Sequence, residues 1–393
     1  MTLQIYEYDP RERDEVLPFR NAIFGHVSVE HWEAMRCTAV VARDDGRLVG
    51  FIPLQFRDQL LRPGVAVPVV YENAVGVAEG MRGRGIGSQM MDEAARFIAD
   101  RVDAMMVIRG GERTQGYRFY RKTGHGDLMY AHSYNLPPEV KWPSAGVEGF
   151  TILTREEWVA LEPELLSLYE HRYGRFGGNW QRSPGYWSMI LAEHVYRERQ
   201  WDLITWRPDG GRLAGYAVAV HGRASPTPEI NLYEVVGEDD AAVEALLHYA
   251  RRLSENGAVI VPSVSLANPI RPLLRRMGFI EAPSSPYIMA RILRPDRIFE
   301  RLAANSDLLD ELHLVVSTPH RTLVVNDPPS PRYTAHLSTK ESLLSRLFCC
   351  RLDLEAAVDM ELVRWNVYDA GLARALADVF AFSEWVQWYT DYV

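Results

Sequence analysis

The sequence predicts an α/β (α+β) protein: two successive mixed-sheet units followed by a small α/β domain. Three observations predict it. First, two proline-rich breaks interrupt the chain, LPPEVKWPSAGVEG over 136–149 and APSSPYIMARILRP over 282–295. Proline disfavours helix interiors and central strands, so such stretches mark boundaries. They divide the chain into 1–140, 141–290 and 291–393, each of ordinary domain size. Second, the first two units share echoes in the same order, which is the mark of a duplicated fold. Third, strand-like and helix-like stretches alternate in the third unit.

Taken in order, the first unit opens with a hairpin pattern. A β-like run over Ala39–Ala42 and the turn residues Asp44 and Asp45 precede Gly46-Arg47-Leu48-Val49-Gly50-Phe51. The second unit repeats this after Leu203–Trp206 and Pro208-Asp209-Gly210, with Gly211-Arg212-Leu213-Ala214-Gly215-Tyr216. Apolar residues flanking turn residues are a hairpin signal. Downstream, Phe119-Tyr120-Arg121-Lys122-Thr123-Gly124 echoes Leu274-Arg275-Arg276-Met277-Gly278-Phe279. Within the second break, Tyr287–Leu293 reads as a strand. In the third unit Ile298–Ala304, Leu354–Val363 and Gly371–Phe382 read as helices, and Leu312–Val316 and Arg321–Val325 as strands. An aromatic finish follows in Trp385, Trp388, Tyr389 and Tyr392, too costly to leave in water as a loose tail.

Composition narrows the function. The chain has 393 residues, of which 47% are hydrophobic and 24% charged, so wholesale disorder is excluded. Its net charge of −9 argues against nonspecific nucleic-acid binding and favours cationic substrates. Three cysteines, Cys37, Cys349 and Cys350, cannot make a disulfide framework, and a reducing cytoplasm fits them. There is no Cys/His cluster at zinc spacing, so no metal is expected. The N-terminus lacks the apolar stretch of a secretory signal, and no apolar run approaches the ~18 residues of a membrane span.

The chemistry is concentrated in Tyr71–Ala99, YENAVGVAEGMRGRGIGSQMMDEAARFIA. A β-like stretch over Asn73–Val77 leads to Arg82-Gly83-Arg84-Gly85-Ile86-Gly87, then to a helix with apolar Met90, Met91, Ala94, Ala95 and Ile98. Glycines let backbone N–H groups approach an anion, and a helix N-terminus adds partial positive charge. Arg82 and Arg84 add donors suited to a polyphosphate. Gly83, Gly85 and Gly87 are spaced two by two, so the dinucleotide-binding template Gly-x-Gly-x-x-Gly fails. The nucleotide P-loop also fails, because no Gly-Lys-Ser/Thr follows.

At these residues the sequence resembles the GCN5-related N-acetyltransferases (GNAT), whose signature is Gln/Arg-x-x-Gly-x-Gly/Ala between the fourth strand and third helix. The resemblance covers most of residues 1–135. It implies that Arg82, Gly83, Arg84, Gly85, Ile86, Gly87 and Ser88 bind the pyrophosphate of acetyl-CoA, and that backbone groups of Val75 and Val77 pair with its pantetheine arm. Ala104–Ile108 matches the fifth strand, and Phe119–Gly124 the Phe-Tyr-x-Lys-x-Gly-Phe helix end, whose final Phe is His125 here. The resemblance thereby adds Tyr120 and Arg121 to the cofactor contacts, and it makes Tyr120 a candidate acid beside the sulfur. A phenol of pKa about 10 can protonate a thiolate without being ionised at neutral pH.

The corresponding cradle of the second unit would follow Ile230–Val236, where Gly237-Glu238-Asp239-Asp240 stands instead. Three carboxylates there repel a pyrophosphate and suit an ordinary helix start. One chain is then expected to carry one acetyl-CoA site. A tandem acetyltransferase pair with a tail of about 100 residues resembles the enhanced-intracellular-survival (Eis) family. That resemblance implies a degenerate second domain, a sterol-carrier-protein-2-like (SCP2-like) third domain, amine acetylation and a homo-oligomer, trimer or hexamer. The family carries a tyrosine acid at the position of His125. It also uses the C-terminal carboxylate, here that of Val393, as base. Histidine can transfer protons near neutrality, so His125 and Tyr120 both stand as acids. Glu72 and Glu79, flanking the cofactor strand, read as solvated surface charges, with alternative bases or amine-binding groups as the functional reading.

The expected activity is direct acetyl transfer to a cationic amine, a polyamine or aminoglycoside-like molecule or a lysine side chain, in a ternary complex. The alternative is a non-catalytic acyl-CoA-binding or scaffold protein, distinguished by the absence of CoA release. An aminoacyl-tRNA-dependent transferase of duplicated fold is a third reading, opposed by the intact cradle and the negative charge.

Overall fold

The computed structural model describes residues 2–35, 37–72, 74–108, 112, 114–142, 146, 148–194, 197, 199–208, 210–221 and 229–392. The chain forms two compact units. One comprises Met1–Leu128 with Pro286–Glu384, the other Met129–Ser285 with Trp385–Val393.

The first unit begins with β1 (Leu3–Glu7), α1 (Arg13–Phe24), α2 (Val29–Ala34), β2 (Thr38–Asp44), β3 (Arg47–Arg62), β4 (Val65–Glu72) and β5 (Gly76–Val77). It continues with α3 (Ile86–Ile98), β6 (Ala104–Ile108) and α4 (Gln115–Lys122). Strands β1 to β4 pair antiparallel, and the turn before Gly46-Arg47 closes the β2–β3 hairpin that its sequence announces. β4 then pairs parallel with β6. Helix α3 forms where apolar residues recur at helical spacing. It buries Met90, Met91, Ala94, Ala95 and Ile98 against β2 and β3, and Met90, Met91 and Ile98 each contribute on the order of 2 kcal/mol. The contact is close: a Cβ at Gly50 of β3 would lie 2.4 Å from the Met90 sulfur.

After α4 the chain enters β7 (Gly126–Leu136), β8 (Phe150–Leu153), α5 (Arg155–Ala160), α6 (Glu162–Tyr173), α7 (Tyr186–Glu193), β9 (Trp201–Trp206) and β10 (Gly215–His221). Then follow β11 (Ile230–Gly237), α8 (Asp240–Leu253), β12 (Val259–Ser265), α9 (Arg271–Arg276), β13 (Ile280–Glu281) and β14 (Ser285–Ile292). In the second unit the strand order is β7-β12-β11-β10-β9-β8. β10 and β11 are buried along almost their whole length, and apart from the buried Asn231 and Glu234 of β11 their buried residues are mostly apolar. The strand predicted within the second proline-rich break is β14. It pairs antiparallel with β6 of the first unit, Ile288 opposite Ile108 through Ile292 opposite Ala104, while β7 pairs with β12. Each half of the sequence therefore gives a strand to the other half's sheet.

The C-terminal stretch of the first unit contains α10 (Pro295–Leu302), α11 (Leu308–Glu311), β15 (Leu312–Ser317), β16 (Thr322–Asn326), β17 (Tyr333–Thr339), α12 (Glu341–Phe348), α13 (Leu354–Asp359), β18 (Val363–Trp365) and α14 (Ala370–Val379). Its sheet runs β16-β15-β17-β18. The helix expected over Leu354–Val363 ends at Asp359. Glu361 takes a left-handed conformation (φ 54°) there and turns the chain into β18. β17 and α12 were not anticipated. The aromatic finish packs into the second unit, with Trp385 and Trp388 fully buried and Trp388 edge-on to Tyr173.

Candidate active site

The cradle is built by two left-handed glycines. Gly83 and Gly85 both have φ +79°, a conformation that costs a residue with a Cβ roughly 1–2 kcal/mol. Gly85 caps α3 without supplying any side chain, and the first intrahelical bond runs from the Gln89 amide to the Gly85 carbonyl. The amides of Ile86, Gly87 and Ser88 thus have no partner inside the helix. Arg82, Gly83, Arg84 and Gly85 are exposed, Ile86 is buried, and Gly87 and Ser88 are half-buried. A Cβ added at Gly83 would meet nothing within 4 Å. This open, amide-lined turn flanked by two arginines fits a pyrophosphate.

Val77 lies in β5 and pairs with β3 at Gly50. Its carbonyl accepts a 3.1 Å hydrogen bond from the Arg82 side chain. Val75 and Val77 also pack on the hydrophobic core. Asn73, which opened the predicted strand, lies outside the described residues. The parallel pairing of β4 with β6 covers Val69–Tyr71 against Ala104–Met106 and goes no further. Glu72 is the next residue of β4 after that pairing.

Helix α4 brings its residues to the cradle. A Cβ at Gly87 would lie 3.3 Å from the Phe119 ring and 3.7 Å from Val75, so α3, the pre-cradle loop and α4 converge. Tyr120 is buried, with its ring edge-on to Phe119 at 5.3 Å and to His125 at 5.4 Å. Arg121 is half-buried. The helix ends because Gly124 adopts φ +90°. Its amide donates to the Arg121 carbonyl and the His125 amide to the Tyr120 carbonyl, at 3.3 and 3.0 Å. That reciprocal pair closes the helix and folds the chain back under Tyr120.

His125 is therefore not a surface loop residue; its side chain is fully buried. Its Nε2 is 2.6 Å from Glu72 Oε1, and its Nδ1 is 3.2 Å from Thr123 Oγ1. The Glu72 contact is close but poorly aligned as a hydrogen bond, since neither atom satisfies directional geometry. Glu72 corrects the expectation of a solvated charge. Its side chain is fully buried, and that burial pushes its carboxyl above the ordinary value, offset by His125 and Arg291. Burial was foreshadowed by its place at the end of the nearly all-apolar run Val65–Tyr71. The partnership with His125 had no local signal. Val393 lies outside the described residues; the residues before it, Trp385–Tyr392, are part of the second unit.

In the second unit the equivalent helix start is filled. Asp239 caps α8, its carboxylate accepting from the Ala242 amide at 2.8 Å. Glu238 pairs with Arg212, and Asp240 with Arg172 at 2.6 Å. The anionic side chains occupy what an anionic ligand would need. Among the described residues no group of three or more His, Cys, Asp or Glu could hold a metal, and no helix is long and apolar enough to cross a membrane.

Residues 3–125 match the acetyltransferase (GNAT) family model. Solved structures match over the whole chain. A conserved protein of unknown function from Enterococcus faecalis V583, described as a probable N-acyltransferase, has a TM-score of 0.73 at 15% identity, covering 98% of this chain and 99% of its own. A GCN5-related N-acetyltransferase from Anabaena variabilis gives 0.69 at 13% identity over 98% and 99%. Eis1 from Mycobacterium abscessus gives 0.63 at 17% identity over 98% of both chains. No curated protein matches the sequence. The fold is thus the mixed α/β fold of these proteins, and the family-model match over residues 3–125 supports an N-acetyltransferase.

Proposed function

We propose that the chain is an acetyl-CoA-dependent N-acetyltransferase with one cosubstrate site, in the first unit, that transfers acetyl directly to an amine in a ternary complex. The observation that carries this reading is the left-handed Gly83–Gly85 turn opening onto free α3 amides between Arg82 and Arg84, packed against the helix that bears Tyr120.

Bound acetyl-CoA supplies an acyl thioester. The amides of Ile86, Gly87 and Ser88 and the two arginines bind its pyrophosphate. Arg82 exchanges its contact with the Val77 carbonyl for that anion, freeing the carbonyl for the pantetheine arm. Tyr120 holds the proton that a leaving thiolate requires. His125 and Glu72 form a buried acid–base pair beneath it, and a carboxyl pushed up by burial lies closer to working pH than an ordinary one. The Val393 carboxylate is the second candidate base, on the Eis resemblance alone. The acceptor is a cationic amine, a polyamine or aminoglycoside-like molecule or a lysine side chain, in keeping with the net charge. We further assign 1–140 as the active domain, 141–290 as its degenerate copy and 291–393 as an SCP2-like domain, in a cytoplasmic homo-oligomer.

One observation favours the alternative, a non-catalytic acyl-CoA-binding protein: neither His125 nor Glu72 exposes side-chain surface. Calorimetric titration with acetyl-CoA, followed by thiol detection with spermidine or kanamycin as acceptor, separates the readings. We expect one site per chain, abolished by Arg82→Glu with Arg84→Glu, and CoA release. Binding without release supports the alternative; no binding at millimolar acetyl-CoA overturns both.

A further inference from the structure

A cavity of about 280 Å³ lies in the first unit at the C-terminal end of α4. Arg121, Gly124 and His125 line one wall; His320, Lys340 and Glu341 come from the C-terminal segment. Its charge is unusual for a chain of net −9. Glu341, the carboxylate among these residues, is already engaged by Arg321 at 2.6 Å. Among the described residues the Lys340 ammonium and the His320 ring have no hydrogen bond or ion pair. The Arg121 guanidinium stands a long 3.9 Å from Asp127 and 3.5 Å from the His125 carbonyl. The Lys340 ammonium is therefore left without a counter-charge beside a concavity that the Asp127-paired Arg121 also lines, which favours an anion there. The volume equals that of about nine waters, enough for an oxyanion with a few attached carbons.

We propose that this cavity binds the carboxylate or phosphate of the acceptor, so that the acceptor is a zwitterionic amine rather than a bare polycation. The inference rests on the acetyltransferase reading and narrows its substrate. Position separates this anion from those of the cosubstrate. Phe119 and Arg121 are two residues apart in α4 and point to opposite sides of the helix. The cradle meets the Phe119 side and the cavity the Arg121 side. The cavity also abuts the turn that sets His125.

The test compares L-lysine with cadaverine, which differ by one carboxylate, as acceptors in acetyl-CoA-dependent thiol release. Wild type, Lys340→Ala and Lys340→Glu are used; Lys340 is exposed, so both variants should fold. L-lysine should exceed cadaverine in kcat/KM by about tenfold, a preference that K340E erases while acetyl-CoA affinity stays unchanged. Inorganic phosphate should raise the thermal midpoint of wild type by more than that of K340E, a readout independent of turnover. Cadaverine equal to or better than L-lysine overturns the proposal. So does the absence of any phosphate effect, even when neither amine reacts. Weakened acetyl-CoA binding in K340E with acceptor preference intact assigns the anion to the cosubstrate and equally overturns it. Failure of the acetyltransferase reading is a different result: wild type then fails to bind acetyl-CoA at all.

Discussion

His125 Nε2 stands 2.6 Å from Glu72 Oε1, and neither side chain exposes any surface. Glu72, which reads as a solvated charge or alternative base, and the candidate acid His125 are a buried pair one residue past the β4–β6 pairing. Removing one partner leaves the buried polar atoms of the other unsatisfied, at a cost of roughly 1–3 kcal/mol.

Glu72→Ala should therefore lower stability by that order in urea denaturation, and Glu72→Gln by less, because the amide can still contact the ring. The pH dependence has a definite sign. Burial raises the folded-state pKa of Glu72 above its ordinary 4.5, so the native state keeps the proton longer than the unfolded chain. The stabilisation tied to that proton is complete below pH ~4.5 and is lost as pH rises through the raised value. E72Q should flatten this part of the stability–pH curve; an identical curve in the variant would refute the assignment.

Gly124→Ala tests how His125 is placed. Gly124 has φ +90°, and a Cβ there would meet Arg291 no closer than 3.7 Å. The penalty is thus backbone strain rather than collision, about 1–2 kcal/mol. We expect a thermal midpoint lower by several degrees and a larger proportional loss of acetyl transfer, because the turn that aims His125 opens. Loss of stability with fully retained turnover would show that the turn does not position the chemistry.

How much of this was readable beforehand differs by scale. The cradle was legible because its requirements are local: glycines at left-handed positions, arginines beside them and an apolar helical stripe after them all lie within Arg82–Ile98. The duplicated hairpins were legible for the same reason. The exchange of β7 and β14 was not, because a strand's own residues report burial and not which sheet it joins. Glu72 and His125 are 53 positions apart in the numbering, and their pairing depends on the α4 turn meeting the end of β4. The cavity likewise joins Arg121 to Lys340 through the fold alone.

The contrast between Gly85 and Asp239 gives a paired prediction. Each caps the helix after its unit's central strands, one with no side chain and one with a carboxylate on the helix amides. Gly85→Asp should fill the first cradle as Asp239 fills the second, weakening acetyl-CoA at least tenfold by calorimetry through charge repulsion and occupied amides. Asp239→Ala should destabilise by about 1 kcal/mol without creating a second site, because Glu238 and Asp240 remain. A stoichiometry above one per chain in D239A would refute the degenerate reading of the second unit.

The C-terminal residues of the second unit are held by a buried charge cluster whose pH response can be predicted. Arg182 makes a two-pronged pair with Glu234 at 2.6 and 2.9 Å and also lies 3.5 Å from Asp391. Tyr186 donates to Asp391, and Thr390 to Glu234. Two carboxylates share one guanidinium, so one of them is poorly neutralised. Burial, aided by Glu234, pushes Asp391 from 3.8 to about 6. The folded-state value is the higher one, so Asp391 stabilises fully below pH ~4 and progressively less as pH rises toward and through 6, at up to about 1.4 kcal/mol per pH unit. Asp391→Asn keeps the hydrogen-bonding shape and removes the ionisation. Measured by urea denaturation between pH 4 and 8, wild type should lose stability relative to D391N as pH rises, with the difference growing across pH 4–6 and levelling above it. A gap that instead narrows with rising pH would mean that Asp391 is held ionised by Arg182, and that the cluster stabilises the tail as a salt bridge.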